Sequence, residues 1–270
     1  MTDRTQTTPF TGSIPKNYDE HMGPMFFEDY AIEIASRIDR STVQIALELS
    51  CGTGRVTNHI RKALRPAARL IASDISPDML KIAQEKLKNT SIEWRSIDFT
   101  KIPFDNASID LVVCSFGYMF AENKTTAFAE ALRVLRPGGT LILSTWDKLE
   151  SNGASNVFRT IIKKYFGDRL PESYKIPYSM NDPEAIREEL TKAGFSKIKI
   201  ELIEKQSVSE SAKKATIGMV QGGSLYNEII KINPAWVDQI SAEVEKELTE
   251  KYGAAPMKAP MKALITQAWK

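Results

Sequence analysis

Residues 43–56 of the chain read Val43-Gln-Ile-Ala-Leu-Glu-Leu-Ser-Cys-Gly-Thr-Gly-Arg-Val56. The first seven residues are mostly apolar, which is typical of a strand buried on both faces in a parallel sheet. Small residues interrupt this strand at 50–54, where they permit a sharp turn and the close approach of a ligand. Apolar residues then follow at helical spacing, at Val56, Ile60 and Leu64. Strand, glycine loop and helix in this order predict the first unit of a nucleotide-binding α/β domain.

The acidic residue at the end of the strand, Glu48, indicates which nucleotide the loop accepts. A dinucleotide would place its pyrophosphate on the loop amides and the helix N-terminus, where a neighbouring carboxylate repels it. S-adenosyl-L-methionine (SAM) has no phosphate and carries an ammonium group and a sulfonium cation instead. An acid followed by a glycine loop therefore favours SAM over NAD as the ligand.

Residues 48–54 resemble motif I of the class I SAM-dependent methyltransferases, Glu/Asp-x-Gly-x-Gly-x-Gly. Ser50 stands in place of the first glycine, and we expect the loop to tolerate it because serine is small. The segment Leu135-Arg-Pro-Gly-Gly139, between a predicted helix and a predicted strand, is similar to the ubiquinone/menaquinone-biosynthesis C-methyltransferases. The resemblance implies a methyltransferase that acts on a small molecule and releases S-adenosyl-L-homocysteine (SAH).

Acidic residues also follow the next two predicted strands. Asp74 lies about 20 residues past the glycine loop, where a carboxylate can accept hydrogen bonds from both ribose hydroxyls of an adenosine. The resemblance implies that Asp98 accepts a hydrogen bond from the adenine amino group and that Ser115 and Phe116 line the methionine end of SAM. The residues predicted to bind SAM are Tyr18, Glu48, Ser50, Cys51, Gly52, Gly54, Asp74, Ile75, Met79, Asp98, Phe99, Ser115 and Phe116.

The N-terminal segment 14–30 mixes aromatic residues with two prolines, and Gly23-Pro24 predicts a helix that begins near Met25. Small-molecule methyltransferases place such a segment over the SAM pocket as a lid. Two roles are open for Tyr18: its ring stacks on the sulfonium through a cation–π interaction, or it only anchors the helix.

Strands that alternate with helices predict an α/β fold with a Rossmann-like, doubly wound sheet of seven strands. All strands are predicted to be parallel except the last, which we expect to pair antiparallel with the strand at 195–203. The predicted regions are a disordered tail at 1–13, an N-terminal lid helix at 14–41, a SAM-binding core at 42–206 and 257–270, and a helical insertion at 207–256 over the active site. For the insertion, a dimer interface or a cover for the sheet edge is the alternative.

Composition and charge narrow the class of protein. The formal charge of +2 and the absence of a dense basic run do not indicate a nucleic-acid partner. No apolar stretch is long enough to span a membrane. Two cysteines, Cys51 and Cys114, are expected to be reduced thiols in a cytoplasmic protein. His21 and His59 are too few and too far apart to predict a metal site.

Methyl transfer from SAM is an in-line displacement that needs alignment and the exclusion of water. An acceptor that must lose a proton also needs a base, and His21 and Tyr118 are the candidates. The alternatives are an NAD(P)-dependent oxidoreductase, a SAM-binding module without catalysis, and a methyltransferase of RNA or protein. A homodimer is also compatible with the sequence.

Overall fold

The computed structural model describes residues 12–171 and 174–270. Most of the predicted tail, residues 1–11, lies outside the described residues. The chain forms two compact units from interleaved segments. The first, here called the sheet unit, comprises residues 29–147, 176–203 and 262–270, and the second, the helical unit, comprises the described parts of 1–28, 148–175 and 204–261.

One sheet of seven strands has the order β3-β2-β1-β4-β5-β7-β6. Strands β1 to β5 pair in parallel, and β7 is antiparallel to both β5 and β6. This confirms the predicted fold class and the antiparallel pairing of the last two strands. The strands are β1 (Ile45–Leu49), β2 (Arg69–Ser73), β3 (Glu93–Arg95), β4 (Ile109–Ser115), β5 (Leu135–Trp146), β6 (Lys197–Ser209) and β7 (Met257–Trp269).

The central strands of the sheet are buried, as is typical of parallel sheets. Ala46, Leu47 and Leu49 of β1 have no exposed surface, and Leu47 lies between Ile71 of β2 and Val112 of β4. The chain runs outward from β1 in one direction to β2 and β3 and in the other to β4 and β5. The carboxyl ends of β1 and β4 therefore form the switch point at which open α/β sheets bind ligands.

The helices begin and end largely where capping residues predict. The Ser76 hydroxyl accepts a hydrogen bond from the Met79 amide, and the Asp182 carboxylate accepts one from the Glu184 amide. Each of these two caps directly precedes a proline in the first turn of its helix. The helices are α1 (Ile14–Asn17), α2 (Glu28–Ser36), α3 (Arg55–Ala63), α4 (Pro77–Lys86), α5 (Lys124–Val134), α6 (Gly153–Phe166), α7 (Pro183–Lys192), α8 (Ala212–Gln221), α9 (Leu225–Ile232) and α10 (Trp236–Tyr252).

The prediction that the N-terminal helix begins near Met25 is wrong. Helix α1 begins at Ile14 and continues through a π-helical segment, Tyr18–Phe27, directly into α2. Pro24 lies inside the π-helical segment. Proline lacks an amide proton and clashes with the preceding turn of an α-helix, and the wider π-helical turn relieves that clash.

Residues 135–139 are predicted to precede the strand, but β5 begins at Leu135 because the Pro-Gly-Gly segment joins the sheet as an irregularity. Ile109 of β4 lies beside Leu135, whereas Leu111 lies beside Thr140. The intervening residues bulge outward, and Gly138 has a φ of 80° there. The pattern of helix, glycines and strand is thus as predicted, but the glycines lie within the strand.

Three helices, α8 to α10, occupy the predicted insertion, and all belong to the helical unit. Gly218 of α8 and Gly222, which directly follows α8, bring this helix close to the π-helical segment. A methyl group at Gly218 would lie 2.9 Å from the His21 Cβ, and one at Gly222 would lie 3.0 Å from the Tyr18 amide nitrogen. Within the described part of the chain, none of the helices has the length and apolar character needed to cross a membrane.

Candidate functional site

The glycine loop after β1 is held by the neighbouring strand. The Cys51 amide donates to the Ser73 carbonyl at 2.8 Å, and the loop turns through positive φ angles at Ser50, Gly52 and Gly54. A methyl group at Gly52 would meet no atom of the described residues within 4 Å, whereas one at Gly54 would lie 3.0 Å from the Ala83 Cβ. Gly54 thus allows α3 to pack against α4, and Gly52 leaves an open face that a ligand can approach.

Asp74 ties this loop to the end of β2. Its Oδ2 accepts from the Gly52 amide at 2.8 Å, and its Oδ1 accepts from the Ser76 amide at 2.9 Å. Burial raises the pKa of the Asp74 carboxyl, and these backbone hydrogen bonds act in the opposite direction. Both oxygens are therefore oriented by the backbone, while the side chain remains half-buried at the edge of the loop.

Glu48 lies beneath the loop and is 1% exposed. Its Oε2 has no hydrogen-bond partner within residues 12–171 and 174–270. Burial raises the pKa of Glu48 to about 8, and the charge of Asp74 acts in the same direction. The buried carboxyl therefore favours its neutral form near neutral pH and would be ionised more readily beside a cation.

The turn after β4 meets the glycine loop. Phe116 has a φ of 52°, and its ring stacks on Trp146 with 4.1 Å between ring centroids. A methyl group at Gly117 would lie 2.6 Å from the Ser50 Cβ and 2.6 Å from the Cys114 Sγ. The two turns thus touch through Ser50 and Gly117, and only glycine leaves room for the contact.

Tyr118 follows this turn and is fully buried between two aromatic rings. The ring centroids of Phe99 and Phe128 lie 5.4 Å and 4.9 Å from that of Tyr118. Its hydroxyl has no hydrogen-bond partner among the residues that the structure describes. Burial raises the pKa of Tyr118 well above its ordinary value. A phenol in this setting retains its proton at neutral pH, which does not favour the role of general base.

The remaining predicted residues of the sheet unit lie at the ends of β2 and β3 or on α4. Ile75 is 69% exposed beside Asp74, whereas Met79 is buried on α4. Asp98 is exposed, and its Oδ1 accepts from the Thr100 amide at 2.8 Å and the Thr100 hydroxyl at 2.7 Å. Cys51 and Cys114 are both free and buried.

Two predicted site residues, Tyr18 and His21, belong to the helical unit. The Tyr18 ring stacks on Phe27 with 5.4 Å between centroids and an interplanar angle of 27°. His21 is partly exposed and lies beside Gly218 of α8. Tyr18 therefore packs within the π-helical segment and keeps part of its surface exposed.

Sequence reasoning missed four residues around the turn after β4: Tyr30, Gly117, Ser144 and Trp146. Tyr30 contacts both Phe116 and Trp146, each with 5.6 Å between centroids. A glycine two residues after the end of a strand is a signal that points to Gly117. The other three lie on α2 and β5, and their roles follow from contacts across the fold that residue type does not encode.

Comparison with known proteins identifies the region around this site. Residues 47–143 match a family described as methyltransferase domain. This part of the chain is therefore similar to a methyltransferase domain. The match begins within β1 and ends within β5, so it includes the glycine loop, Asp74, Asp98 and the turn after β4.

Curated relatives match over part of their length. The malonyl-[acyl-carrier protein] O-methyltransferase of Hahella chejuensis is 40% identical over 102 residues, which cover 38% of this chain and 36% of the relative. The demethylmenaquinone methyltransferase of Deinococcus radiodurans is 33% identical over 127 residues, 46% of this chain and 51% of the relative. The chain thus spans about a third to a half of the length of these two relatives.

Solved structures show the same fold at low identity. Phosphoethanolamine N-methyltransferase 2 of Haemonchus contortus, in complex with phosphomonomethylethanolamine and SAH, has a TM-score of 0.62 at 16% identity. The alignment covers 97% of this chain and 58% of that one. The [4+2]-cyclase SpnF has a TM-score of 0.54 at 19% identity, and the alignment covers 90% of this chain and 81% of SpnF. Proteins named for different reactions therefore share this fold.

We expect Glu48→Gln to stabilise the ligand-free protein increasingly as the pH rises. The folded-state pKa of Glu48 is raised from 4.5 to about 8, so the unfolded chain ionises first and wild-type stability falls between these pH values. Glutamine carries no charge to bury. Thermal unfolding at pH 5 should show little difference between the two proteins, and at pH 9 the variant should be more stable by on the order of a few kcal/mol.

Glu93→Gln is the matched control, because hydrogen bonds from Arg69 and Arg95 lower the pKa of Glu93. Removing that carboxylate should not stabilise the protein at any pH. A constant difference between Glu48→Gln and the wild type from pH 5 to 9 would contradict the raised pKa.

We expect Gly117→Ala to destabilise the protein by about 1–3 kcal/mol, because its methyl group would overlap Ser50 and Cys114. Gly223→Ala is the control, since within the described part of the chain its methyl group would have only the Met219 carbonyl oxygen within 4 Å, at 3.9 Å. Adding Ser50→Gly to Gly117→Ala removes the two contacts with Ser50 and leaves the one with Cys114, so it should restore part of the lost stability. Equal denaturation midpoints for the Gly117 and Gly223 variants would contradict the contact between the two turns.

Proposed function

We propose that the protein is a SAM-dependent methyltransferase that transfers a methyl group to a small-molecule acceptor by in-line displacement. One observation carries the proposal: two carboxyl groups, the buried Glu48 at the end of β1 and Asp74 bonded to the Gly52 amide, adjoin an open glycine loop at the switch point of the sheet. Carboxylates attract the ammonium and sulfonium groups of SAM and repel a pyrophosphate. The methyltransferase domain match over residues 47–143 supports the same activity.

The residues of the site fit this cofactor. The buried Glu48 Oε2 lacks a partner among the described residues, and it is an acceptor for an ammonium group. Gly52 leaves open space above the loop, and Asp74 is already oriented by two amides. We assign Asp74 to the ribose hydroxyls, Asp98 and Phe99 to the adenine, and Ser50, Ser115 and Phe116 to the methionine end.

When bound, SAM supplies a methyl group activated by the adjacent sulfonium. The chain aligns the two reactants and excludes water, and the aromatic rings of Phe116, Trp146 and Tyr30 make the edge beside β4 and β5 apolar. Tyr118 keeps its proton, so His21 is the candidate that would accept a proton from an acceptor that must lose one.

The other parts of the proposal concern the helical unit and the setting of the protein. We assign the N-terminal segment the role of a lid and helices α8 to α10 the role of shaping the acceptor pocket. We also propose that the protein is cytoplasmic and forms a homodimer. The two free, buried cysteines are compatible with a reducing compartment.

An NAD(P)-dependent oxidoreductase is not favoured, because Glu48 lies beneath the loop that would hold the pyrophosphate.

We expect calorimetry to show micromolar binding of SAM and SAH and no binding of NADH. Asp74→Ala should weaken SAM binding by about 1–3 kcal/mol, because the ribose hydroxyls and the Gly52 amide lose their acceptor. Asp78→Ala is the matched control, since Asp78 is an exposed acid on the next helix. NADH binding without SAM binding would refute the proposed activity, and an unchanged affinity in Asp74→Ala would remove Asp74 from the site.

The role of Tyr18 is tested by comparing its effect on SAM affinity with its effect on SAH affinity, because only SAM carries the sulfonium charge. If the ring faces the sulfonium, Tyr18→Leu should weaken SAM binding by about 1–2 kcal/mol and leave SAH binding nearly unchanged. Tyr18→Phe keeps the ring and should bind both ligands as the wild type does. An equal loss for SAM and SAH in Tyr18→Leu would show that Tyr18 only anchors the helix.

A further inference from the structure

Backbone strain is concentrated at the two turns that meet in the site. Among residues 12–171 and 174–270, the non-glycine residues with φ in the left-handed region are Ser50, Ala107 and Phe116. Ser50 and Phe116 follow the paired strands β1 and β4, whose register places Leu49 beside Cys114. A residue with a side chain disfavours this conformation and keeps it only where surrounding contacts hold it.

Ser144 of β5 provides such contacts to Phe116. The Phe116 amide lies 3.0 Å from the Ser144 carbonyl oxygen and 3.2 Å from the Ser144 Oγ, so it donates to both. The Ser144 Oγ also lies 3.0 Å from the Ser115 Oγ. Because the Ser144 Oγ accepts from the amide, its own proton is available to Ser115. One buried hydroxyl thus fixes the backbone of Phe116 and the side chain of Ser115.

The same strand also holds the Phe116 ring. Trp146 lies two residues after Ser144, and alternate residues of a strand point to the same face. The rings of Trp146 and Phe116 stack at 4.1 Å with an interplanar angle of 21°. Ser144 and Trp146 therefore hold Phe116 from one face of β5. Ser144 bonds the backbone amide of Phe116, and Trp146 stacks on the Phe116 ring.

We propose that Ser144 is a positioning residue for the cofactor. Its hydroxyl keeps Phe116 in the left-handed conformation, and so holds the 115–117 turn in the form that binds the methionine end of SAM and the corresponding end of SAH. This inference rests on the proposed function, which assigns Ser115 and Phe116 to that end of the cofactor. Ser144 itself is 1% exposed and acts through Phe116.

The first test measures SAH affinity by calorimetry in the full chain. Ser144→Ala should weaken SAH binding about tenfold, as expected for the loss of a buried hydrogen-bonding group. Thr145→Val is the matched control, because Thr145 is the next residue of β5 and its buried hydroxyl has no partner in the described part of the chain. SAH binding by Thr145→Val should match that of the wild type within about twofold.

A double-mutant cycle separates positioning from a general loss of stability. Glycine adopts a positive φ without strain, so in a Phe116→Gly background the turn no longer needs Ser144. Adding Ser144→Ala to Phe116→Gly should therefore change SAH affinity by less than about twofold. The same fold-change in both backgrounds, or equal effects of Ser144→Ala and Thr145→Val, would overturn the proposal.

If Ser144→Ala does not fold, Ser144→Cys replaces it, because the thiol is similar in size and accepts hydrogen bonds weakly. A folded wild-type protein that binds neither SAM nor SAH would refute the proposed function and this inference together. Wild-type binding with no coupling between positions 116 and 144 would refute this inference alone.

Discussion

A hydrogen bond of 2.8 Å from the Gly52 amide to the Asp74 carboxylate joins the glycine loop to the end of β2. The bond forms because β1 and β2 pair in parallel, with Glu48 beside Ala72, so that the loop and the acid reach the sheet edge together. The second carboxylate oxygen accepts from Ser76, at the cap of α4. One side chain therefore sets the relative positions of a loop, a strand end and a helix start, and the other predicted ligand contacts of the sheet unit are arranged around it.

The two acidic residues of this edge differ in their environments. Asp74 is half-buried and receives two amide hydrogen bonds, whereas Glu48 is buried with one oxygen lacking a partner in the described residues. Burial of an uncompensated carboxyl destabilises a folded chain, and such groups persist mainly where function requires them. The strained φ angles of Ser50 and Phe116 lie at the same edge. Unfavourable local features are thus gathered at the switch point, while the caps and the apolar strands stabilise the remainder of the sheet unit.

Local patterns in the sequence were sufficient to predict most of the sheet and part of the site. The apolar run before the glycine loop, Ser76-Pro77 and Asp182-Pro183 each correspond to a boundary in the structure. Pro24 misled the prediction because proline usually starts or ends a helix, and the π-helical turn that accommodates it has no simple sequence signal. The contact of Ser50 with Gly117 and that of Ser144 with Phe116 depend on strand register and on a left-handed phenylalanine. Neither is encoded in the types of neighbouring residues.

The place of β7 has a consequence for biosynthesis. This strand is formed late in the chain, by Met257–Trp269, yet it lies between β5 and β6 and pairs with Ser144 through Ile265. While a ribosome is still translating these residues, β5 has an unpaired edge and β6 has no neighbour. Unpaired strand edges recruit other chains, so the nascent protein is exposed to aggregation until β7 has paired with β5 and β6. A chaperone that shields the edge of β5 during that interval would have its largest effect on yield and none on the finished protein.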